Sequence, residues 1–262
     1  MKRIKAVFFD IDGTLLSMKT HRVPESAIAA IRELRGRGIK TVIATGRQFS
    51  EIKAVDTGLF DAYVTMNGGC CLSREKKILF KKAIGRADIE ACLRALENGE
   101  KFPCMFMFDD GRALNYVDQN VLAFSEAVEI PVPPLYPDLR EAAGRDIYQI
   151  NMFVDRAGEE RLMRDVFANC VSSRWNPAFA DVNPRGVDKA AGMDDILKSF
   201  GMTADEAMAI GDGGNDLPMI RHAGVGVAMG NAIEPVKTAA DFTTAAVDED
   251  GVAKALRHYG LI

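Results

Sequence analysis

The reading of this chain turns on residues 5–14, Lys5-Ala6-Val7-Phe8-Phe9-Asp10-Ile11-Asp12-Gly13-Thr14. A short apolar run stops abruptly in acid and glycine, as a buried parallel strand does when its carboxyl end opens into a site. Two carboxylates two residues apart at such a strand end stand where open α/β sheets bind ligands. Two plainer readings compete with a site. Asp, Gly and Thr are turn formers, so the segment reads equally as a polar turn capping the next element. A calcium loop would want an acid or Asn in place of Thr14, with glycine one step later.

The pattern repeats downstream. Pro24 opens a helical stretch with Ile28, Ile31 and Leu34 on one stripe, stopped by Gly36 and Gly38. A second buried strand, 39–44, breaks into Thr45-Gly46-Arg47, and a third, 62–66, breaks at Asn67-Gly68-Gly69. Strands alternating with helices predict a doubly wound parallel sheet. After residue 80 the rhythm changes. Segments 75–84, 104–108, 147–154 and 170–182 read as strands, with helices near 88–97, 119–128 and 158–169 and a Pro-rich connection from Pro131 to Pro137. The doubly wound rhythm then returns with a helix at 188–200 and strands at 207–211 and 225–229. The expected fold is α/β: a Rossmann-like parallel core, discontinuous over 1–82 and 184–262, carrying an inserted α+β domain at 83–183.

Composition narrows the function classes. The 262 residues hold 33 Lys and Arg against 37 Asp and Glu, a net charge of −4, which gives no basic footprint for nucleic acid. With 48% hydrophobic and 27% charged residues the chain is globular rather than disordered. No apolar run approaches the ~18 residues of a membrane span. The run after Lys2 and Arg3 is broken by Asp10 and Asp12, too short for a signal peptide, so a soluble cytoplasmic protein is expected. Cys70, Cys71, Cys92, Cys104 and Cys170 are scattered and read as small buried hydrophobes in a reducing compartment. His21, His222 and His258 have no zinc-ligand spacing. Chemistry must therefore come from carboxylates, Lys, Thr or the backbone.

Three distant segments join the first: Thr45-Gly46-Arg47, Lys189 opening a late helix, and Gly211-Asp212-Gly213-Gly214-Asn215-Asp216 after another strand. Singly each is weak, since Thr-Gly-Arg makes a turn, a lysine is normally solvated and a glycine run makes a loop. Four in this order, three of them on strand ends, resemble the four motifs of the haloacid dehalogenase superfamily. The similarity is to its Cof-type sugar-phosphate phosphatases and runs through nearly the whole chain. It includes the position of the insert and the stretch from Arg174 to Val182. Ala190 and Gln48 stand where that branch often has glycine and proline; both lie beside the motif residues.

The resemblance implies a Mg²⁺-dependent phosphatase with a mobile cap. A nucleophilic Asp10 needs neighbouring positive charge to approach a phosphate ester. Mg²⁺ would be held by carboxylate oxygens of Asp10 and Asp212 and by the Asp12 carbonyl, and Lys189 would neutralise Asp10 and the phosphoryl group. Thr45, Gly46, Arg47, Asn215 and Lys189 are the expected phosphate-binding residues, their donors meeting charge spread over the phosphoryl oxygens. The Asp12 side chain is the expected general acid and base. Asp216 is read as orienting Lys189 or a metal-bound water.

The substrate implied is a small phosphorylated metabolite, a hexose or pentose phosphate, with no nucleic acid or membrane partner; no oligomeric state is implied. The insert stretch 174–181, holding the only Trp of the chain, is the candidate specificity segment. Trp175 serves there either as a sugar platform or as a core residue. A phosphomutase of the phosphomannomutase type is the enzyme alternative, and a phosphate-responsive binding module the non-enzyme one. Gly224-Val225-Gly226-Val227-Ala228-Met229-Gly230 looks like a dinucleotide fingerprint, but its last glycine comes one residue late, so it reads as a strand and turn. The 12 methionines, Met105 and Met107 among them, read as core filling.

Overall fold

The computed structural model describes residues 4–127, 130–136, 138–141 and 143–262. Lys2, Arg3, Val128 and Pro137, which figure in the sequence reading, lie outside them. In chain order the elements are β1 (Ala6–Phe9), α1 (Glu25–Gly36), β2 (Lys40–Ala44), β3 (Ala62–Thr65), β4 (Cys70–Ser73) and β5 (Ile78–Lys81). Then come α2 (Arg86–Glu97), β6 (Cys104–Met107), β7 (Arg112–Leu114), α3 (Gln119–Ala127), β8 (Gln149–Met152), α4 (Arg156–Asp165), β9 (Cys170–Ser173) and β10 (Ala180–Pro184). The chain closes with α5 (Lys189–Phe200), β11 (Ala207–Gly211), α6 (Leu217–His222), β12 (Val225–Ala228), α7 (Glu234–Ala239), β13 (Phe242–Thr243) and α8 (Gly251–His258). It divides into two compact units, residues 1–80 with 188–262, and residues 81–187. No helix among the described residues is long and apolar enough to cross a membrane.

The first unit is built on an eight-stranded sheet in the order β13-β12-β11-β1-β2-β3-β4-β5. Its six strands from β13 to β3 run parallel. β1 is central and every residue of it is buried, which is why it reads as an unbroken apolar run. In α1 the buried residues are Ala27, Ala30, Ile31 and Leu34, so the stripe is rotated from the one expected and Ile28 sits at its margin. α5 buries Lys189, Gly192, Met193, Ile196 and Leu197, positions recurring every three or four residues. Gly192 lets this helix sit tightly, since a Cβ there would meet Val64 at 2.5 Å.

The second unit is a five-stranded antiparallel sheet, β7-β6-β8-β10-β9. One face carries Cys104, Phe106, Ile150, Met152, Ala180 and Val182, which form its core together with Ile89 and Leu93 of α2 and Leu162 of α4. The alternate positions give the other face Met105, Met107, Gln149, Asn151, Asp181 and Asn183. The single strand expected over 170–182 is two strands, β9 and β10, paired antiparallel around a turn. Asn176 makes that turn, its side-chain oxygen accepting the Ala178 N–H at 2.9 Å, and Pro177 bars a continuing strand. The connection from Pro131 is more ordered than a linker: Leu114 donates to the Pro134 carbonyl and Tyr136 donates to the Leu114 carbonyl.

Candidate active site

β1, β2, β3 and β11 end at the same edge of the first unit, and the polar residues that follow them meet there. β1 delivers Asp10, 5% exposed, its N–H donating to the Ile210 carbonyl of β11. α5 delivers Lys189 from its first turn, fully buried because it is in phase with Met193 and Ile196. Its ammonium donates to Asp10 and to Asp216, each at 2.6 Å. The second Asp216 oxygen accepts the N–H groups of Asp212 and Gly213, both at 2.9 Å. Asp216 thus fastens the lysine to the loop after β11. Gly211 is required there, because a Cβ on it would meet the Asp216 carboxyl carbon at 2.5 Å.

Asp212 is gripped from both sides. The Thr14 hydroxyl donates to its Oδ1 at 2.9 Å, and the Asn231 amide to its Oδ2 at 3.3 Å. Asp10, Asp212 and Asp216 each place a carboxylate oxygen within 4.8 Å of the others. Burial and then the Asp216 charge push Asp212 up to about 7, against the pull of Thr14 and Lys189. Burial, with Asp216, Asp212 and Asp12, holds Asp10 well above the ordinary carboxylate range despite Lys189. Burial alone would pull Lys189 down, but Asp10 and Asp216 outweigh it and raise it. The cause is simple: three carboxylates crowd within 4.8 Å of one another, and a single ammonium, bonded to Asp10 and Asp216, offsets them. A hard divalent cation with a preference for oxygen donors fits both that charge and that donor set.

Asp12, two residues beyond Asp10, is in a different environment. Arg47 takes it with two nitrogens, Nε at 2.8 Å and Nη2 at 2.5 Å, and turns Nη1 to the Glu51 carbonyl at 3.2 Å. Arg47, expected among the phosphate-binding residues, is here a clamp on Asp12. Thr45 is buried, and its hydroxyl accepts the Arg47 N–H at 3.1 Å, leaving the hydroxyl proton to donate. Gly46 lies between them in the same loop. The Asn215 amide donates to the Asn67 side chain at 3.0 Å. Asn67 and Met66 both have positive φ, 53° and 49°, so β3 ends in a strained turn beside the site.

Trp175 lies in the second unit, in the turn between β9 and β10. Its ring meets Phe179 and Phe124 edge-on, with centroids 5.5 and 6.2 Å apart, and Phe179 also packs on Phe153. Arg174 donates to Glu159 and to the carbonyls of Pro177 and Val154, which commits it to holding that turn. Thr14, Asn67 and Asn231 belong to the site without any motif of their own in the sequence. Each follows the end of a strand of the parallel sheet, and that position was their only signal.

The molecule compares closely with known proteins. The family model of the haloacid dehalogenase-like hydrolases matches residues 7–256. The putative phosphatase YkrA of Bacillus subtilis is 32% identical over 260 residues, covering 98% of each chain. The subclass IIB sugar phosphatase BT4131 superposes with a TM-score of 0.92 at 39% identity, over 98% of this chain and all of that one. BT1666, a phosphatase from Bacteroides thetaiotaomicron, superposes with a TM-score of 0.91 at 37% identity, over all of this chain and 97% of that one. By the match and by these relatives, this chain is an enzyme and belongs to the haloacid dehalogenase-like hydrolases.

Proposed function

We propose that the protein is a Mg²⁺-dependent phosphatase of small phosphate monoesters, sugar phosphates such as hexose phosphates, working through an aspartyl-phosphate on Asp10. The observation that carries the reading is the buried constellation of Asp10, Lys189, Asp216 and Asp212, in which three clustered carboxylates share one ammonium. Asp10 and Asp212 would hold the cation with carboxylate oxygens, and Asp12 with its carbonyl. When bound, the cation supplies the positive charge that lets a carboxylate approach an anionic ester.

The protein's own residues do the rest. Lys189 holds Asp10 at 2.6 Å and keeps one of its oxygens oriented. Thr45, Gly46 and Asn215 donate to the phosphoryl oxygens, over which the transition state spreads its charge. Asp10 attacks phosphorus, and the bond to the leaving oxygen breaks with its electron pair staying on that oxygen. Asp12 protonates the leaving oxygen, then takes a proton from water as the water attacks the aspartyl-phosphate; the Asp10–phosphorus bond breaks and the carboxylate is regenerated. For either transfer Asp12 must loosen one of its two bonds to Arg47.

Residues 81–187 would act as the cap that recognises the leaving group. The sugar reading is supported by the polar sheet face bearing Gln149, Asn151 and Asp181, whose edge continues into the aromatic cluster of Phe153, Phe179 and Trp175. It is supported also by the resemblance to BT4131, a sugar phosphatase. The test is phosphate release from a panel of phosphorylated metabolites with Mg²⁺ and no bisphosphate activator, ranked by kcat/KM. Hexose and pentose phosphates should head the ranking. Turnover that requires a bisphosphate would make the enzyme a mutase instead.

A further inference from the structure

The glycine-rich segment 224–230, which is a strand and turn rather than a dinucleotide motif, is followed by Asn231, a residue with no part in the function just described. Its amide is fully occupied. The NH₂ group donates to the Gly13 carbonyl at 2.8 Å and to Asp212 Oδ2 at 3.3 Å, and the side-chain oxygen accepts the Val247 N–H at 2.9 Å. This amide orientation is the only one the partners allow, because two acceptors face one end and a donor faces the other. One side chain therefore ties together the loops after β1, β11 and β13. Gly13 makes the approach possible: its φ is +87°, and a Cβ there would lie 2.3 Å from Asp212 Oδ2.

We propose that Asn231 is a positioning residue of the metal centre, fixing the Asp212 carboxylate in the orientation from which it meets a divalent cation. The proposal rests on the Mg²⁺ reading above. With Thr14 on Oδ1 and Asn231 on Oδ2, the carboxylate has a donor on each oxygen and cannot rotate freely, while each oxygen keeps a lone pair for a cation. Groups that hold a ligating carboxylate in this way set its basicity and direction, and losing one weakens metal binding about 10–100-fold. Asn231 is itself exposed, so truncating it opens no core cavity.

The experiment is calorimetric titration of Mg²⁺ into metal-free wild type and Asn231→Ala, with kcat, substrate KM and the Mg²⁺ concentration for half-maximal rate measured on the same preparations. Asn231→Ala should bind Mg²⁺ at least about tenfold more weakly. Its kcat at saturating Mg²⁺ should return to within about threefold of wild type, with substrate KM unchanged, since the ligand itself remains. A Mg²⁺ affinity within twofold of wild type would overturn the proposal. So would a fall in kcat that excess Mg²⁺ does not restore. Wild-type protein that binds no Mg²⁺ would overturn the metal reading and this one together, whereas a defect in the binding of the variant alone speaks to Asn231. Should Asn231→Ala fail to fold, the same titrations on Asn231→Ser, which also lacks the reach to Asp212, decide the question.

Discussion

Replacing Lys189 by methionine, with stability measured in the absence of substrate, tests the centre of the site. The ammonium is fully buried and lies 2.6 Å from two carboxylates. Methionine fills similar space but removes the charge, so three clustered carboxylates are left with no cation. Breaking a buried pair by removing one partner costs about 3–5 kcal/mol, because the other charge stays behind uncompensated. Asp10 limits the loss, since burial already raises it and it relieves the site by taking up a proton. In a unit of this size each kcal/mol moves the midpoint by about 2–4 °C, so Tm should fall by about 6–20 °C in excess chelator at pH 8. Calorimetry or circular dichroism reads it. The deficit should shrink towards pH 5, as Asp10 and Asp212, both raised by burial, take up protons, and shrink again when Mg²⁺ is added. Lys189→Met combined with Asp216→Asn should recover part of the stability by removing one of the stranded charges. A Lys189→Met protein melting within 2 °C of wild type in chelator, or a double variant no better than the single, would refute the charge-balance reasoning.

Other outcomes follow from the same geometry. Asp10→Asn should abolish turnover with the fold intact; a variant retaining even a tenth of the rate (~1.4 kcal/mol) would exclude the covalent route. Arg47→Lys cannot reproduce the two-pronged grip on Asp12, so kcat should drop while substrate KM holds, whereas a raised KM with kcat unchanged would return Arg47 to direct phosphate binding. Asp212 titrates at about 7 when folded, above its ordinary 3.8, so the folded chain holds an extra proton between those values. The stability that proton contributes is complete below about pH 4 and is lost as pH rises through about 7. In chelator, the Tm of wild type should therefore fall relative to Asp212→Asn between pH 5 and pH 8, and parallel curves would contradict it.

Much of this molecule is written locally. The apolar run 5–9 ending at Asp10, and its counterparts before Thr45 and Asp212, declare parallel strands and the edge on which they open, because burial on both faces keeps a strand almost wholly apolar, with only Lys40 and Thr41 at the start of β2 as polar positions. The burial of Lys189 is a finding of the structure, because a lysine is solvated by default; in α5 it falls in phase with Met193 and Ile196 and shares their buried face. Partnerships were not legible. Nothing in the sequence pairs Arg47 with Asp12, Thr14 with Asp212 across 198 positions, or Asn231 with the Gly13 carbonyl across 218. The split of 170–182 into β9 and β10 likewise depended on a turn at Asn176 that β propensity on both sides concealed. The reason is physical. Periodicity and turn chemistry act between near neighbours, whereas which strand-end side chains meet depends on the order and register of β11, β1 and β2 in the sheet, and only the folded chain sets those.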